Sequence, residues 1–533
     1  MKTLNIWVHP QREWQEKAYQ AVMRKYDSGK VDFLCEATPG GGKTRFALRV
    51  AHKFLQMGYS NRIIVVVPTE HLKKQWAEDA FQYKIDLDPN LDNGQGRESG
   101  EFHGAVLTYA QVGINPRVHQ LQADRKTFVI FDEIHHAGDG LTWGDALLTA
   151  YEGTGFRLAL SGTPFRHDDN PIPFVTYTDG VSLSDFSYSY KQAIVDKVCR
   201  PVNFPIYDGI MKWQTNNITY NYAFRDQVDE ARASERLKTA LDPQGEFLKH
   251  IIIDAHNRLL SIRKDEWHSD AGGLVFAIDQ EHARAIASMI RGITGESPEV
   301  VISDDKESSR KIKEFRDSST KWLISVKMVS EGVDIPRLRV GVFATNITKE
   351  KFFRQAVGRF TRMLKYLEQQ DAYLFIPADQ RIVSITRKME EETRHALSYL
   401  NKYKKEAIEH APIENKKEFE AISSQVTEKG QIELSFGSKV DGMFNLPALF
   451  ANRIAETAAA KVENKELPLF VQKRMLRDEI NNLSKMIAKK NARGAEIDWS
   501  YAHKKYAEAG GRSIEVENLT ELKCRKDIYL KML

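Results

Sequence analysis

The sequence predicts an α/β protein with two similar parallel-sheet domains followed by a mostly helical C-terminal region. The first part of the chain contains short apolar runs that end in polar residues, and helical stretches such as GKTRFALRVAHKFLQ separate them; the runs are NRIIVVVPT, KTFVIFDEIHH and FRLALSGTP. The pattern recurs further on, in GGLVFAID, EVVISDD, KWLISVK, RVGVFAT and AYLFIPA. Charged helical sequence follows. Short apolar runs that alternate with helices are typical of doubly wound domains with buried parallel strands.

These patterns divide the chain into four predicted segments. The first α/β domain covers residues 1–165, and the second covers residues 246–380. Between them, residues 166–245 are less regular and rich in Tyr, Asp and Asn, which indicates a linking or inserted element. Residues 381–533 form the predicted helical accessory region.

Composition indicates a globular protein, and we expect it to be cytoplasmic. The 533 residues are 42% hydrophobic and 28% charged, and 77 basic residues nearly cancel 73 acidic ones to give a net charge of +4. No apolar run approaches the ~18 residues that cross a bilayer, and the N-terminus MKTLNIWVHPQREW lacks the apolar core of a signal peptide. The three cysteines are far apart in sequence, which favours neither a disulfide framework nor a zinc site.

The segment LCEATPGGGKTRFAL contains three consecutive glycines, which are Gly40, Gly41 and Gly42. Glycines let the backbone turn tightly and present its N–H groups to an anion, and the following helix adds its positive N-terminal end. The pattern is that of a phosphate-binding loop, in which Lys43 reaches the phosphate oxygens and Thr44 ligates Mg²⁺. Ala37 stands where that pattern usually has its first glycine. A glycine-rich turn that caps a helix is the alternative interpretation.

Two carboxylates directly follow the apolar run FVIF, at a predicted strand end. In open α/β sheets, ligands bind beyond the carboxyl ends of the strands. In a protein with a phosphate-binding loop, Asp132 would hold the Mg²⁺ shell and Glu133 would orient or deprotonate the attacking water. A solvated turn is the alternative. His135 and His136 follow, but no third ligand at useful spacing supports a separate metal site.

Nine short motifs, in order, resemble those of the superfamily 2 DEAD/DEAH-box (DExH) helicases and translocases. The resemblance is to the branch that includes type I and type III restriction motor subunits, the excision-repair DNA helicase and phage recombination helicases. In the first half REWQ resembles the Q motif, ATPGGGKT motif I, VPTEHLKKQW motif Ia, VLTYAQV motif Ib, DEIH motif II and SGTPFR motif III. In the second half LVFAID resembles motif IV, SEGVDIP motif V and QAVGRFTR motif VI. The match spans residues 9–375 and implies two tandem RecA-like domains.

The resemblance implies that both domains contribute to an ATP site. Gln15, helped by Arg12, would pair with the adenine edge, while the phosphate loop and the two carboxylates would have the roles given above. From the second domain, arginine fingers would reach the γ-phosphate when the cleft closes, and neighbouring residues would assist them or line the cleft. The arginines are Arg359 and Arg362, and the neighbouring residues are Gln355, Gly332 and Asp334. For the arginines, surface salt bridges are the alternative.

The resemblance also implies contacts with nucleic acid and a link between these contacts and the nucleotide. Main-chain and hydroxyl groups would hold the phosphodiester backbone at Pro68, Thr69, Thr108 and Tyr109. Such contacts position a strand without reading its sequence. The residues that would couple the two sites are His135, Ser161 and Thr163. A capped turn before a helix is the alternative for the serine and the threonine.

The C-terminal region contains a predicted amphipathic helix, because apolar residues follow helical spacing from Val471 to Ile487. Between Lys461 and Leu533 there are 16 lysines and arginines against 11 aspartates and glutamates, a local net charge of +5. We expect either a helical domain packed on the second α/β domain with a solvated basic face, or a module that binds nucleic acid or a protein partner. A metal-dependent nuclease is a third alternative, since Asp498 followed by ELK (Glu521–Lys523) loosely resembles its ligand set.

The sequence therefore predicts an ATP-dependent DNA helicase or translocase, with ATP and Mg²⁺ as cofactors. Duplex or branched DNA is the expected partner, because restriction and recombination relatives with SGTPFR mostly act on duplex DNA; no membrane partner is expected. Two alternatives remain open. One is an ATP-gated nucleic-acid clamp or assembly subunit that does not unwind its substrate, and the other is an RNA helicase.

Overall fold

The computed structural model describes most of both predicted α/β domains and the C-terminal helices. The described residues are 7–94, 97–138, 143–162, 172–178, 181–215, 218–302, 308–326, 335–364, 367, 370–390, 431–434, 467–492 and 497–533. Three predicted site residues lie outside these ranges: Thr163, Gly332 and Asp334.

The first part of the chain alternates helices with short strands. The strands are β1 (Asp32–Ala37), β2 (Arg62–Val67), β3 (Leu87–Asp88), β4 (Gly104–Thr108), β5 (Thr127–Phe131) and β6 (Phe156–Ser161). The helices are α1 (Glu13–Asp27), α2 (Lys43–Gln56), α3 (Glu70–Gln82), α4 (Tyr109–Ile114), α5 (Pro116–Gln122) and α6 (Trp143–Tyr151). Every residue of β2, β4, β5 and β6 is buried, because helices cover both faces of a sheet of this kind.

These strands form the core of a seven-stranded sheet. Two short strands, β7 (Thr176–Thr178) and β8 (Val181–Leu183), pair with each other, and the next, β9 (Phe186–Tyr188), joins the edge of the main sheet. The sheet order is β3-β4-β2-β5-β6-β1-β9. The pairs β3–β4, β4–β2, β2–β5 and β5–β6 are parallel. Their carboxyl ends therefore lie at one edge of the sheet.

The second part of the chain repeats this architecture. Its strands are β10 (Val202–Tyr207), β11 (Ile210–Thr215), β12 (Ile218–Ala223), β13 (Gly272–Ala277), β14 (Glu299–Val301), β15 (Trp322–Val326), β16 (Leu338–Phe343), β17 (Ala372–Pro377) and β18 (Gln431–Leu434). Its helices are α7 (Tyr190–Val195), α8 (Glu230–Ala240), α9 (Glu246–Asp265), α10 (Gln280–Thr294), α11 (Ser308–Asp317) and α12 (Glu350–Gly358). The sheet order is β14-β15-β13-β16-β17-β10-β18, with all pairs parallel except β10–β18.

The stretch that the sequence suggests as a linking element contributes to both sheets. Within residues 166–245, β9 joins the first sheet and β10 joins the second. The hairpin β11–β12 stands apart from both sheets and packs on α8, where the Trp213 indole N–H donates to Glu235 at 2.9 Å.

The C-terminal residues form three helices around a small apolar core. They are α13 (Leu469–Ala492), α14 (Tyr501–Glu508) and α15 (Leu519–Met532), so the amphipathic helix expected in this region is present. The core residues are Ile480, Ile487, Ala502, Leu522 and Tyr529. Beside this core, Arg525 and Glu517 form a buried ion pair at 3.0 Å. The predicted fold class, two parallel-sheet α/β domains with a helical C-terminal region, is confirmed.

The C-terminal helices pack against the first α/β domain. Both carboxylate oxygens of Glu101, just before β4, accept the Leu519 N–H that opens α15, at 3.1 and 3.0 Å. Lys473 of α13 lies 3.5 Å from the same carboxylate and 5.2 Å from the ring of Phe102. Burial lowers the pKa of Lys473, and Glu101 opposes that shift. The expectation that this region packs on the second domain is therefore wrong, because its anchoring charges pair with the first.

The described residues form two compact units. The first unit contains the described parts of Met1–Cys35, Thr44–Phe186 and Lys439–Leu533. The second unit contains Glu36–Lys43 and the described part of Ser187–Ser438. The segment that ends at Lys43 thus belongs to the unit built on the second sheet. No helix in the described part of the chain has the length and apolar composition of a membrane span.

Replacing Glu101 with alanine should loosen the attachment of the C-terminal helices. The substitution removes a charged acceptor from the first N–H of α15 and leaves Lys473 buried without its nearby carboxylate. Because a hydrogen bond to a charged group contributes about 1.5–3 kcal/mol, we expect amides in the first turn of α15 to exchange at least about tenfold faster. Hydrogen-exchange mass spectrometry measures this rate.

Glu479→Ala is the matched control for that experiment. It breaks an ion pair of 2.6 Å with Lys526 that lies entirely within the C-terminal helices. Its effect on the first turn of α15 should be small. Equal exchange rates in the two variants would contradict the anchoring role of Glu101.

Candidate active site

The glycine-rich loop between β1 and α2 has the backbone conformation expected of an anion-binding loop. Gly40 and Gly42 have φ values of +85° and +98°, a region that favours glycine. The Gly41 N–H donates to the Thr38 carbonyl at 3.0 Å, which closes a tight turn. Lys43 is the first residue of α2, so its neighbours in the first helical turn present N–H groups that have no partner within the helix. The loop and helix end together suit a phosphate.

Residues of the second compact unit contact this loop. The Thr361 hydroxyl lies within hydrogen-bonding distance of two carbonyl oxygens, those of Pro39 at 3.3 Å and Gly358 at 3.0 Å. The Cys199 thiol is 3.8 Å from the same Pro39 oxygen. The loop is therefore held by side chains that follow α7 and α12, and not only by its own turn.

Gly40 is also required for steric reasons. A Cβ atom at this position would lie 2.7 Å from Thr361 Oγ1 and 3.5 Å from Arg362 Nη1. The first distance is too short for a real Cβ contact, so any larger residue would displace the threonine. The structure thus brings the glycine-rich loop together with Arg362, one of the two arginines that the sequence singles out.

Asp132 follows β5 directly and is held by hydrogen bonds from three neighbouring elements. The Trp76 indole N–H donates to its carboxylate Oδ2 at 2.8 Å. Its backbone N–H donates to the Val66 carbonyl of β2, and its carbonyl accepts the Tyr109 hydroxyl, each at 2.9 Å. Both aromatic side chains are buried. Asp132 is therefore fixed by groups from β2, α3 and α4.

Glu133 has a backbone conformation that is rare for its residue type. Its φ of +49° lies in the left-handed region, which costs energy for a residue with a Cβ. Its carboxylate Oε2 accepts the Gly162 N–H at 3.2 Å and lies 3.6 Å from His135 Nδ1. The strained turn therefore directs this carboxylate toward the end of β6.

His135 and Ser161, two of the predicted coupling residues, meet in the structure. His135 Nδ1 lies 2.8 Å from Ser161 Oγ, and both side chains are fully buried. His135 belongs to a short 3-10 helix, Ile134–Gly138, and Ser161 ends β6. The DEIH and SGT segments are thus joined by two links, one from the glutamate and one from the histidine. The role of this link in coupling stays a prediction.

The predicted adenine-binding residues, Arg12 and Gln15, lie at the start of α1. Gln15 is fully buried, and its side-chain oxygen accepts the Arg12 N–H at 2.9 Å, which caps the start of α1. The nearby Gln11 was not predicted as a site residue. The Oε1 and Nε2 atoms of the Gln11 side chain are buried and have no hydrogen-bond partner in the described part of the chain. Adenine recognition by Gln15 stays a prediction, and Gln11 offers a second donor and acceptor.

The predicted nucleic-acid contacts differ in how accessible they are. Pro68 and Thr69 are half-buried at the start of α3. Thr108 uses its hydroxyl to cap α4, where it accepts the Gln111 N–H at 3.1 Å. Tyr109 is buried with its hydroxyl bonded to the Asp132 carbonyl, so that hydroxyl is not available to hold a phosphodiester. The predicted contact therefore stays a prediction for Pro68, Thr69 and main-chain groups.

The second-domain residues lie on or just after α12. Gln355 is buried within this helix, and Arg359 caps its C-terminal end. Arg362 follows and pairs through its backbone with Cys199 in an isolated bridge.

Three contacts that hold the site were missed from the sequence: those of Trp76, Thr361 and Cys199. Trp76 lies inside the VPTEHLKKQW motif and Thr361 inside QAVGRFTR, but neither motif reveals the partner of the side chain.

Thr44 and Asp132 suit a magnesium ion that takes its other ligands from phosphate and water. Hydroxyl and carboxylate oxygens are ligands that Mg²⁺ prefers, and it usually keeps several waters. Among the described residues, no group of three or more His, Cys, Asp and Glu side chains is arranged to hold a metal.

The structure gives no support to the alternative of a metal-dependent nuclease in the C-terminal region. The carboxylate of Asp498, which would be one of its metal ligands, is already bonded to Lys504 at 2.9 Å and to Ser500.

Comparisons with known proteins agree with the architecture of two α/β domains. A family model described as the res subunit of type III restriction enzymes matches residues 9–166, and one described as the helicase conserved C-terminal domain matches residues 266–364. An uncharacterised protein of Mycobacterium tuberculosis is 43% identical over 395 residues, 73% of this chain and 64% of that protein. The match therefore spans less than two thirds of that relative.

Two more distant matches extend the comparison. The DNA 3'-5' translocase XPB2 of Sulfurisphaera tokodaii is 25% identical over 369 residues, 66% of this chain and 78% of that protein. A fragment described as an HsdR subunit of a type I restriction enzyme from Vibrio vulnificus matches with a TM-score of 0.50 and 18% identity, over 71% of this chain and 66% of that one. The second match is a likeness of fold alone.

Trp76→Phe should raise the Mg²⁺ concentration that ATP hydrolysis requires, without unfolding the protein. Phenylalanine keeps most of the buried ring but removes the N–H that orients the Asp132 carboxylate. Because groups that orient a metal ligand typically change affinity or activity by about 10–100-fold, we expect the Mg²⁺ concentration for half-maximal ATP hydrolysis to rise about tenfold. A Mg²⁺ titration of ATPase activity measures this change.

Trp322→Phe is the matched control. Trp322 is also buried and also donates its indole N–H, to His256 at 3.2 Å, but it lies in β15 of the second sheet. This variant should keep the parental Mg²⁺ dependence. An unchanged Mg²⁺ dependence in Trp76→Phe, or an equal shift in both variants, would contradict the role of the Trp76 hydrogen bond.

Proposed function

We propose that this chain, which belongs to the superfamily 2 DExH-type helicases, is an ATP-driven motor that acts on DNA. The main support is the pair of carboxylates after β5. Asp132 is fixed by hydrogen bonds from three elements, and Glu133 is turned by a left-handed backbone toward the Gly162 N–H. A carboxylate fixed for a metal beside a second carboxylate that acts on water is the arrangement that nucleotide hydrolysis needs.

Different groups of the chain would bind the phosphates of ATP and its Mg²⁺ ion. The N–H groups around Gly41 and the ammonium of Lys43 would bind the β- and γ-phosphates, and Thr44 and Asp132 would hold Mg²⁺. When bound, this ion would neutralise charge on the phosphate oxygens. The Trp76 N–H, which donates to Oδ2 of Asp132, would keep this carboxylate oriented toward the ion.

Glu133 would act on the attacking water. Its carboxylate would orient that water and accept its proton while the bond to the γ-phosphate breaks. The Gly162 N–H and His135 both approach the same oxygen, Oε2, and would limit the orientations of this carboxylate. The strain at Glu133 supports the proposal, because strained residues of this kind cluster at functional sites.

The arginines after α12 would stabilise the charge that develops on the phosphates. Arg362 lies near Gly40 of the phosphate loop, and Arg359 stands at the end of the same helix. Thr361, between them, contacts the Pro39 carbonyl. We infer that Thr361 positions the arginines relative to the loop, and that Gln355 assists them from within α12. Arginine fingers of this kind contribute about 10³–10⁵ to the rate.

Adenine recognition would involve residues at the start of α1 and just before it. Gln15 is committed to capping that helix, whereas Gln11 has an unsatisfied amide donor and acceptor in the described part of the chain. An adenine edge requires one donor and one acceptor side by side. We therefore propose that Gln11 shares the role expected of Gln15, with Arg12 between them.

DNA is proposed as the substrate on the basis of relatives. The Sulfurisphaera tokodaii protein is described as a DNA 3'-5' translocase, and the first family model is that of a restriction subunit.

The bonds from Glu133 and His135 to the end of β6 provide the physical link by which a change at the nucleotide could reach the segment after Ser161. An ATP-gated clamp and an RNA helicase are the rival functions, since both would use the same groups.

Glu133→Gln and Lys43→Ala should abolish activity for different reasons. Glutamine keeps the size of the side chain but cannot accept a proton, so we expect ATP to bind and turnover to fall by about 10²–10⁴. Alanine at position 43 removes the charge that holds the phosphates, so we expect both ATP binding and turnover to be lost. ATPase rates with duplex DNA, single-stranded DNA and RNA, together with a fluorescent-nucleotide binding assay, measure these effects.

Glu281→Gln is the matched control, because Glu281 is an exposed residue in the first turn of α10. It should retain the parental rate and the parental preference among nucleic acids. Parental turnover in Glu133→Gln would show that the glutamate assignment is wrong. Stronger stimulation by RNA than by any DNA would show that the substrate assignment is wrong.

A further inference from the structure

We propose that Trp499 and two lysines near the end of α13 form a contact site for single-stranded nucleic acid. The proposal rests on the proposed function, because the bound strand would be part of the nucleic acid on which the motor acts. It adds a substrate contact outside both α/β domains. The binding step itself requires no ATP.

Trp499 is exposed although the helices around it have an apolar core. About half of its surface, 52%, is accessible to solvent, and it does not belong to the core cluster that includes Ile487 and Tyr529. A large exposed aromatic side chain is unusual in a region that could bury it. The exposed part of the ring is where we propose that a base stacks.

The turn that presents Trp499 is held on both sides by hydrogen bonds. The Asp498 carboxylate accepts the N–H of Ser500 at 3.0 Å and its hydroxyl at 2.6 Å. The ammonium of Lys504 lies 2.9 Å from the same carboxylate. The negative charge next to Trp499 is therefore paired, and hydrogen bonds link the residues on either side of the ring.

Two exposed lysines of α13 contribute positive charge near the ring. Lys485 and Lys489 are exposed one turn apart on the same face of α13, and the Lys489 ammonium is 6.0 Å from the centre of the Trp499 ring. In the described part of the chain neither lysine forms an ion pair with a carboxylate. In contrast, Lys505 and Lys526 pair with Glu508 and Glu479, respectively.

This combination of groups suits a single strand of nucleic acid. Proteins that bind single strands use aromatic rings on which bases stack and basic groups that follow the phosphates. The described residues of α13 include six lysines and arginines and only two acidic residues, which favours an anionic partner. Because paired bases in a duplex do not expose their faces, stacking on Trp499 selects an unpaired strand.

The site is attached to the first compact unit. α13 begins close to Lys473, which contacts Glu101, and α15 begins at the residue whose N–H bonds to the same glutamate. The strand bound at Trp499 would therefore be held by the same unit that contains Asp132 and Glu133. Contact with the strand could then be maintained while nucleotide is exchanged.

Binding of a fluorescently labelled oligothymidylate to the full chain without nucleotide tests the site. Fluorescence anisotropy should show Trp499→Ala binding about tenfold more weakly than the parent, because stacking on one aromatic ring contributes roughly 5–150-fold. Trp499→Phe, which keeps a smaller ring, should lose less. The double variant Lys485→Ala and Lys489→Ala should lower the slope of log affinity against log salt by about 1.4.

Trp267→Ala is the matched control, because Trp267 is 92% exposed but belongs to the second compact unit. It should bind the oligonucleotide like the parent, and all these variants should keep the parental ATPase rate without nucleic acid. Parental affinity in Trp499→Ala, an equal loss in Trp267→Ala, or no binding by the parent would each overturn the proposal. If the parent binds the oligonucleotide but no nucleic acid stimulates its ATPase activity, the proposed motor function is wrong. The Trp499 site would then still be tested by the oligonucleotide affinities of the variants.

Discussion

The hydrogen bonds that fix Asp132 are the constraint on which the candidate site depends. A parallel sheet brings the ends of β2, β4 and β5 to one edge, and the residues that follow these strands supply the Trp76 and Tyr109 side chains that hold the aspartate. With Asp132 fixed, the strained turn at Glu133 can point the next carboxylate elsewhere, toward the end of β6. The two adjacent acids therefore lie in different surroundings, as the different roles proposed for them require.

The phosphate loop depends on a second set of contacts. Its glycines allow the turn, but Thr361 and Cys199 contact the Pro39 carbonyl from segments that are distant in sequence. The same crowding explains why no residue with a Cβ fits at Gly40. These contacts bring the loop next to Arg362, as the role proposed for this arginine requires.

Sequence patterns predicted the repeating architecture and the residue types of the site, because buried parallel strands and phosphate loops have strong local signatures. They could not predict the contacts of Trp76 with Asp132 or of Thr361 with Pro39, because these residues are distant from each other in sequence. They also did not predict that Tyr109 is buried, with its hydroxyl bonded to the Asp132 carbonyl. They also placed the C-terminal helices on the wrong domain, since one glutamate before β4 anchors them. The strands β9 and β10 were not assigned to the two sheets, because β9 has only three residues and β10 (VNFPIY) contains an asparagine and a proline, which are unusual within strands.

The dependence of the ATPase rate on DNA length tests the central claim, that the carboxylate site drives movement along nucleic acid. A motor that hydrolyses ATP repeatedly along its track should show rates that rise with duplex length to a plateau, and should displace a third strand or a complementary strand in the same reactions. A clamp that hydrolyses ATP once per binding event would be limited by its dissociation. Rates that do not depend on length, with no displacement of either strand, would contradict the account.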